Sequence, residues 1–254
     1  MTLTIVTTTR NRPLCFALLE RIIARQTLQP DQWLVVNDGQ EAYSYNRGQE
    51  VIRRKPKKTM KKLDGSKIDE ISLLANWQAA FPKIKGEKVV VIEDDDWYHP
   101  TYLETMSLLL SQSCVCGVAN DCYYKLRSRR WQRTYNMNHA SFAATGFRSW
   151  ATFAVERAVN VLCVNNRSVF VDMYLWAEAQ PMHDLKTKLV ENRAEDGRVL
   201  HVGMKQMPGA AGLGMGHTDQ GTPDPAWSQL TAWVGPEDCR LYRSIPKTAW
   251  GSSG

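Results

Sequence analysis

The sequence predicts an α/β fold built on a mostly parallel sheet covered on both faces, and three observations predict it. The stretch Lys88 to Ile92 (Lys-Val-Val-Val-Ile) is apolar and β-branched without polar alternation, the pattern of a strand buried on both sides. Leu3 to Thr9 and Trp33 to Val36 read the same way and enclose a helical pattern that begins near Pro13. Together they make a β-α-β unit, which implies parallel strands and a right-handed crossover. Each run also ends in polar residues: Thr7 to Arg10, Asn37-Asp38-Gly39, and Glu93-Asp94-Asp95-Asp96. Open α/β sheets gather their ligands at the carboxyl ends of their strands.

Taken in order, the first strand gives way to the turn Arg10-Asn11-Arg12-Pro13, and Pro13 suits the first turn of a helix. Leu14, Leu18, Leu19, Ile22 and Ile23 recur at helical spacing to about Gln26, before Pro30 and Asp31 break the pattern. Glu41 to Ser66 is polar, weakly patterned and expected to be loop. Ile68 to Phe81 reads as a helix with Ile71, Leu74, Ala75 and Ala79 on one face. After the acidic strand come a helix near Thr101 to Leu110, a strand at Val115 to Ala119, and a hairpin with arms at Tyr123-Tyr124 and Trp131 to Tyr135. Met137 to Trp150 has the composition of a loop. Short strands are expected at Thr152 to Val155 and Val169 to Val171, a helix at His183 to Val190, and a late strand at Arg198 to Val202. Glycines and prolines after Lys205 predict a loop or lid, and Trp250 to Gly254 reads as a tail.

A chain of 254 residues is long enough to bury a sizeable core. No apolar run reaches the roughly eighteen residues a membrane span needs, and the start of the chain lacks a basic leader, so no span and no signal peptide are expected. The six cysteines show no CxxC pair, which predicts reduced thiols and a cytoplasmic setting. Cys114, Cys116 and Cys122 lack a fourth ligand at metal-site spacing. The net charge of +6 is concentrated. Seven of the ten residues from Arg53 to Lys62 are basic, and a second cluster (Lys125, Arg127, Arg129, Arg130, Arg133) is interleaved with Tyr123, Tyr124, Trp131 and Tyr135. Basic residues mixed with aromatics suit a polyanion with stackable bases, or simply a solvated face.

The four acids at Glu93 to Asp96 repel one another at neutral pH and invite a cation; hard divalent ions such as Mg²⁺ or Mn²⁺ prefer carboxylate oxygen and bridge to phosphates. Around this turn, Val91 to Glu104 (Val-Ile-Glu-Asp-Asp-Asp-Trp-Tyr-His-Pro-Thr-Tyr-Leu-Glu) resembles the Asp-x-Asp segment of family 2 nucleotide-sugar glycosyltransferases. Thr7 to Pro13 matches their opening strand and Arg-Pro turn, and Val36-Asn37-Asp38-Gly39-Gln40 their Val-Asp-Asp-Gly-Ser segment, with Asn for the first Asp. The likeness covers residues 3 to 110 well and is thin beyond.

The resemblance implies a Rossmann-like three-layer αβα fold of the A type (GT-A), one domain over 1–250. Residues 1–120 would bind the nucleotide sugar and 121–250 the acceptor. It implies a donor site formed by Thr7, Thr9, Arg10, Arg12, Asn37 or Asp38, Asn76 and Asp94. Asp95 takes the metal position, supported by Glu93 or Asp96, with His217 as a late ligand. Asp184, in Met182-His183-Asp184-Leu185, is the nearest match to the catalytic base, with Glu195-Asp196 as its rival. His99 packs beside Pro100 rather than binding metal. Trp97, Arg129, Arg130 and Trp131 are placed on the acceptor side.

The expected activity is therefore inverting transfer from a nucleoside-diphosphate sugar, with Mn²⁺ or Mg²⁺ as cofactor. The basic-aromatic clusters add DNA carrying a hydroxylated base as an acceptor, as in phage-encoded enzymes working in a bacterial cytoplasm. Saccharides or lipid-linked glycans are the alternative acceptors. The rival classes are a metal-dependent nuclease or nucleotidyltransferase, which needs a second set of metal ligands, and a non-catalytic nucleic-acid-binding module.

Overall fold

The computed structural model describes residues 1–56, 60–61, 67–68, 72–165, 171–179, 185–209 and 220–250. Strand β1 (Leu3–Thr9), helix α1 (Pro13–Ala24) and strand β2 (Gln32–Asn37) form the expected β-α-β unit, with β1 and β2 parallel from Thr4 opposite Gln32 to Thr9 opposite Asn37. Strand β3 (Glu50–Arg53) adds parallel to β2, and β4 (Met60–Lys61) pairs with β5 (Lys67–Ile68). Helix α2 (Ser72–Ala80) leads to β6 (Lys88–Val91), parallel to β1, and then to β7 (Trp97–Tyr98) and α3 (Tyr102–Gln112). There follow β8 (Val115–Ala119), β9 (Cys122–Lys125), β10 (Arg130–Arg133), β11 (Ala140–Arg148), α4 (Thr152–Asn165) and α5 (Val171–Ala179). The chain closes with β12 (Thr187–Glu191), β13 (His201–Lys205), β14 (Thr222–Pro223), α6 (Ser228–Val234) and α7 (Pro236–Arg243).

The main sheet has seven strands in the order β12-β8-β11-β6-β1-β2-β3. All run parallel except β11, which is antiparallel to both its neighbours. Alternation along the strands sorts the core into two layers. Leu3, Ile5, Trp33, Val35, Val90 and Val118 pack with α1, α3, α6 and α7 through Phe16, Leu19, Met106, Trp233 and Tyr242. Val6, Leu34, Val36, Val89, Val91 and Val115 pack with α2, α4 and α5 through Leu74, Trp77, Val155 and Trp176. Each of these apolar side chains gains roughly 1.5–3 kcal/mol over exposure. The result is the three-layer αβα body with a mostly parallel sheet. A second, five-stranded sheet, β14-β10-β9-β13-β7, carries the expected hairpin β9–β10.

Several segments differ from the sequence reading. Met137 to Trp150 holds the longest strand, β11, rather than a loop: its alanines and Gly146 are small because they pack between layers. A Cβ on Gly146 would lie 3.1 Å from Val89 O and from Met106 Cε. Of the helix expected at His183 to Val190, residues 183–184 lie outside the described residues and Thr187 to Val190 belong to strand β12, with Leu189 opposite Gly117. Thr152 to Val155 begins α4, and Val171 begins α5. The Glu41–Ser66 stretch supplies β3. The late strand starts at His201, because the Asn192 side chain binds the backbone of Leu200 and His201 and the chain turns at Gly197. Beyond Pro225 the expected loop gives way to α6 and α7, whose Leu230, Trp233, Val234 and Tyr242 enter the core. No helix among the described residues is long and apolar enough to cross a membrane.

Candidate active site

The parallel strands β1, β2 and β6 end together, and their polar termini meet at one edge. The Thr9 hydroxyl at the end of β1 donates to Asp94 Oδ2 at 2.5 Å and lies 3.0 Å from the Tyr43 hydroxyl. The Arg12 guanidinium, at the start of α1, reaches Asp94 Oδ1 at 3.1 Å and Asp95 Oδ2 at 2.8 Å. At the end of β2, the Asn37 amide is used locally: its Nδ2 donates to the Tyr45 hydroxyl and its Oδ1 accepts from Gly39 N. Gly39 is required there, since a Cβ would come within 2.6 Å of Asn11 N and Oδ1. Asp38 is buried, bound at 3.1 Å through Oδ2 by Arg54, while its Oδ1 is buried without a partner. Of the two residues the resemblance left open, Asp38 is thus the one with acceptor capacity to spare. Asn76 is buried and accepts from Arg54 Nε at 2.7 Å.

The acidic turn is arranged by strand β13. Asp96 Oδ2 pairs with His201 Nε2 at 3.0 Å, and Oδ1 accepts from Met204 N at 2.9 Å with Lys205 Nζ at 3.4 Å. Glu93 N donates to the Tyr98 hydroxyl, and the Glu93 carboxyl has no hydrogen-bond partner among the described residues. Burial raises the Glu93 pKa to about 8, with Asp96 adding and Lys205 opposing. Burial likewise raises Asp94 to about 6 against the pull of Arg12. For Asp96, burial is outweighed by Lys205 and by the His201 hydrogen bond, so its carboxylate stays below the usual range.

Oxygens of Glu93, Asp95 and Asp96 all lie within 4.8 Å of one another. Three carboxylates that close fit a hard divalent cation. This is the one such group among the described residues, so they offer no second metal site of the kind a two-metal nuclease needs.

The other expected site residues divide. Thr7 is fully buried and accepts from Trp33 Nε1 at 3.1 Å, so it serves the core. Arg10 is exposed and donates to Ser72 Oγ. Trp97 is a correction: it is wholly buried, donates from Nε1 to Asp238 Oδ2 at 2.7 Å, and offers no face to an acceptor. His99 is buried against Trp97 and Thr101, as expected of a packing residue. Arg129 and Arg130 donate to the carbonyls of Pro225 and Gly221, and Trp131 packs edge-on to Trp233. Asp184 and His217 lie outside the described residues. Asp196 is bound by Arg198 and His99, a turn contact.

Sequence reasoning missed His201, Lys205, Arg54, Tyr43 and Tyr45. His201 and Lys205 had one signal, polar residues in a strand pattern otherwise apolar. Arg54 was hidden within the basic run, and the two tyrosines within an apparent loop.

No protein-family model matches the sequence, and no curated protein matches it. Solved structures do match in shape. The chain superposes on Staphylococcus aureus TarS residues 1–349 in complex with UDP with a TM-score of 0.52 at 12% identity, over 80% of this chain and 60% of that one. For the UDP-GlcNAc complex of TarS the TM-score is 0.51 at 13% identity, over 82% of this chain and 59% of that one. The protein therefore has the GT-A fold of nucleotide-sugar glycosyltransferases. It spans about 60% of the length of those TarS structures.

Proposed function

We propose that the protein is an inverting glycosyltransferase that moves a sugar from a nucleoside-diphosphate sugar to an acceptor hydroxyl, using Mn²⁺ or Mg²⁺. One observation carries the reading: three converging carboxylates share a sheet edge with Asp38, whose Oδ1 is buried and unpartnered. A buried acceptor atom without a donor costs about 1–3 kcal/mol, so it marks a place where a ligand N–H or O–H belongs. A ribose hydroxyl or base N–H supplies that donor.

Each group then has a task. Asp38, fixed by Arg54, orients the nucleoside. Glu93 and Asp95 would hold the cation, while Asp96, clamped by His201, Met204 and Lys205, keeps the turn in shape. When bound, the cation supplies Lewis-acid neutralisation of the charge that develops on the leaving diphosphate. Lys205, buried at the same carboxylates, adds a fixed positive charge to that edge. Asp184 is assigned as the base that takes the acceptor proton. Residues 1–120 form the donor half and 121–250 the acceptor half.

The test is donor hydrolysis and transfer over a panel of nucleotide sugars with Mn²⁺, comparing wild type with Asp95→Ala. The expected loss in the variant is on the order of 10²-fold. Metal-independent turnover, or a variant as active as wild type, refutes the assignment.

A second reading concerns the acceptor. Tyr135 is 83% exposed, with Arg133 stacked over its ring at 5.6 Å, on a chain of net charge +6. This pairing favours DNA bearing a hydroxylated base. Retention on duplex DNA that falls steeply with salt supports it; salt-insensitive or absent binding returns the acceptor to saccharides.

A further inference from the structure

Asp95, one of the carboxylates that would receive a divalent cation, already carries the Arg12 guanidinium, while Lys205 sits on Asp96. Arg12 Nη1 is 2.8 Å from Asp95 Oδ2 and 3.1 Å from Asp94 Oδ1, with the guanidinium 12% exposed and the two carboxylates 6% and 4%. Arg12 cannot discharge by losing its proton. Burial alone would favour the neutral form, yet Asp95 and Asp94 together push its pKa further upward. Its stem is also confined. Arg12 N donates to the Tyr43 hydroxyl at 2.6 Å, at the start of α1. Gly209, with a φ of +105°, passes so close that a Cβ there would sit 2.7 Å from Arg12 Cγ. The carbonyl oxygen of the preceding Pro208 accepts from Cys15 Sγ.

A guanidinium in contact with Asp95 and a dication on the same carboxylate repel strongly at this burial. With a dication on Asp95, Asp94 alone is left to balance the guanidinium, unless a further anion is supplied. A diphosphate presents oxygens that a guanidinium binds in the same forked manner as a carboxylate.

We propose that Arg12 is a resident counter-cation of the metal site, which must leave Asp95 before a divalent ion binds, and that the donor diphosphate is the anion that draws it away. The diphosphate half of this rests on the glycosyltransferase reading; the competition at Asp95 does not. Metal and nucleotide binding are then coupled through one side chain, and the coupling is reciprocal. Without nucleotide, the acidic turn stays neutralised and binds metal weakly.

The test is Mn²⁺ binding to the full chain, followed by the EPR signal of free Mn²⁺, without nucleotide and with UDP or GDP. Arg12→Gln is expected to bind Mn²⁺ about tenfold tighter than wild type in the absence of nucleotide, and to show a smaller gain on adding nucleotide. Adding Asp95→Asn to that variant is expected to abolish the gain, showing that it arises at Asp95. A folded Arg12→Gln that binds Mn²⁺ no tighter than wild type overturns the proposal. Should Arg12→Gln fail to fold, Arg12→Lys is read instead. Lysine keeps the charge but its Nζ ends one bond short of the Nη1 that meets both Asp94 and Asp95, so about threefold tighter binding is expected, and no gain overturns the proposal. Tighter Mn²⁺ binding in the variant, with neither UDP nor GDP bound by wild type, upholds the competition and removes the glycosyltransferase reading. Nucleotide binding with no gain in the variant does the reverse.

Discussion

His201 Nε2 lies 3.0 Å from Asp96 Oδ2, with both side chains 1% exposed, and this contact ties β13 of the five-stranded sheet to the turn after β6. Lys205 approaches the other oxygen of the same carboxylate. Removing one member of a buried charged set leaves the rest uncompensated, at a cost of about 3–5 kcal/mol. Asp96→Ala is therefore expected to destabilise the protein by about 3 kcal/mol in chemical denaturation. Asp96→Ala with Lys205→Met is expected to lose less than the sum of the two single changes, because the second removes the stranded ammonium. Additive losses would show that Asp96 and Lys205 do not act as a pair.

What was legible in the sequence follows from how each layer is written. Strands β1, β2 and β6 are buried on both faces, so their residues form unbroken apolar runs ending in polar tips. Those tips named Thr9, Asp38, Asp94 and Asp95 as neighbours before any geometry was known. Strand β11 was illegible because it lies between two strands and beneath helices, where Ala143, Ala144 and Gly146 are chosen for thinness. Small residues of that kind look like loop composition. The clamp on Asp96 was illegible for another reason: its partners, His201 and Lys205, lie more than a hundred positions along the chain. Only the antiparallel pairing of Val202 with Trp97 brings them beside the turn.

The unpartnered Oδ1 of Asp38 leads to a prediction about the nucleoside alone. Asp38→Asn keeps the volume and a hydrogen bond to Arg54, but replaces a charged acceptor by an amide. Nucleoside-diphosphate affinity is expected to fall about tenfold, the loss of about 1.4 kcal/mol that one hydrogen bond to a charged group supplies. Mn²⁺ affinity in the absence of nucleotide is expected to stay unchanged. Calorimetric titration of both ligands checks the two halves, and an equal loss for Mn²⁺ would place Asp38 in the metal site.

Trp97 tests the boundary between site and scaffold. Its indole N–H and the guanidinium of Arg25 share Asp238, which Arg25 binds at 2.5 and 2.8 Å. Trp97→Phe keeps most of the buried ring and removes one donor from a buried carboxylate that Arg25 still satisfies. The expected result is a loss of about 1–2 kcal/mol in stability with KM for donor and acceptor unchanged. A selective rise in the acceptor KM at unchanged stability would restore Trp97 to the acceptor surface.

One contribution to the pH dependence of stability lies outside the acidic turn, at His139. Its Nε2 lies 3.2 Å from Asp172 Oδ2 on α5 and its Nδ1 3.9 Å from Asp121 Oδ2, just after β8. The interaction with Asp172 raises the His139 pKa above its ordinary 6.5, against the opposing effect of burial. The folded state therefore binds this proton more tightly than the unfolded chain. The stabilisation is complete below pH 6.5 and is lost as pH rises through the raised value. With His139 a quarter exposed and Asp172 less so, solvent screening limits it to about 1 kcal/mol or less. Denaturation of wild type and Asp172→Asn at pH 5.5 and 8.5 isolates the effect. The variant is expected to be less stable than wild type at the lower pH, and the gap to narrow at the higher one. A gap that widens with pH would mean that Asp172 supports α5 by some route other than the imidazolium.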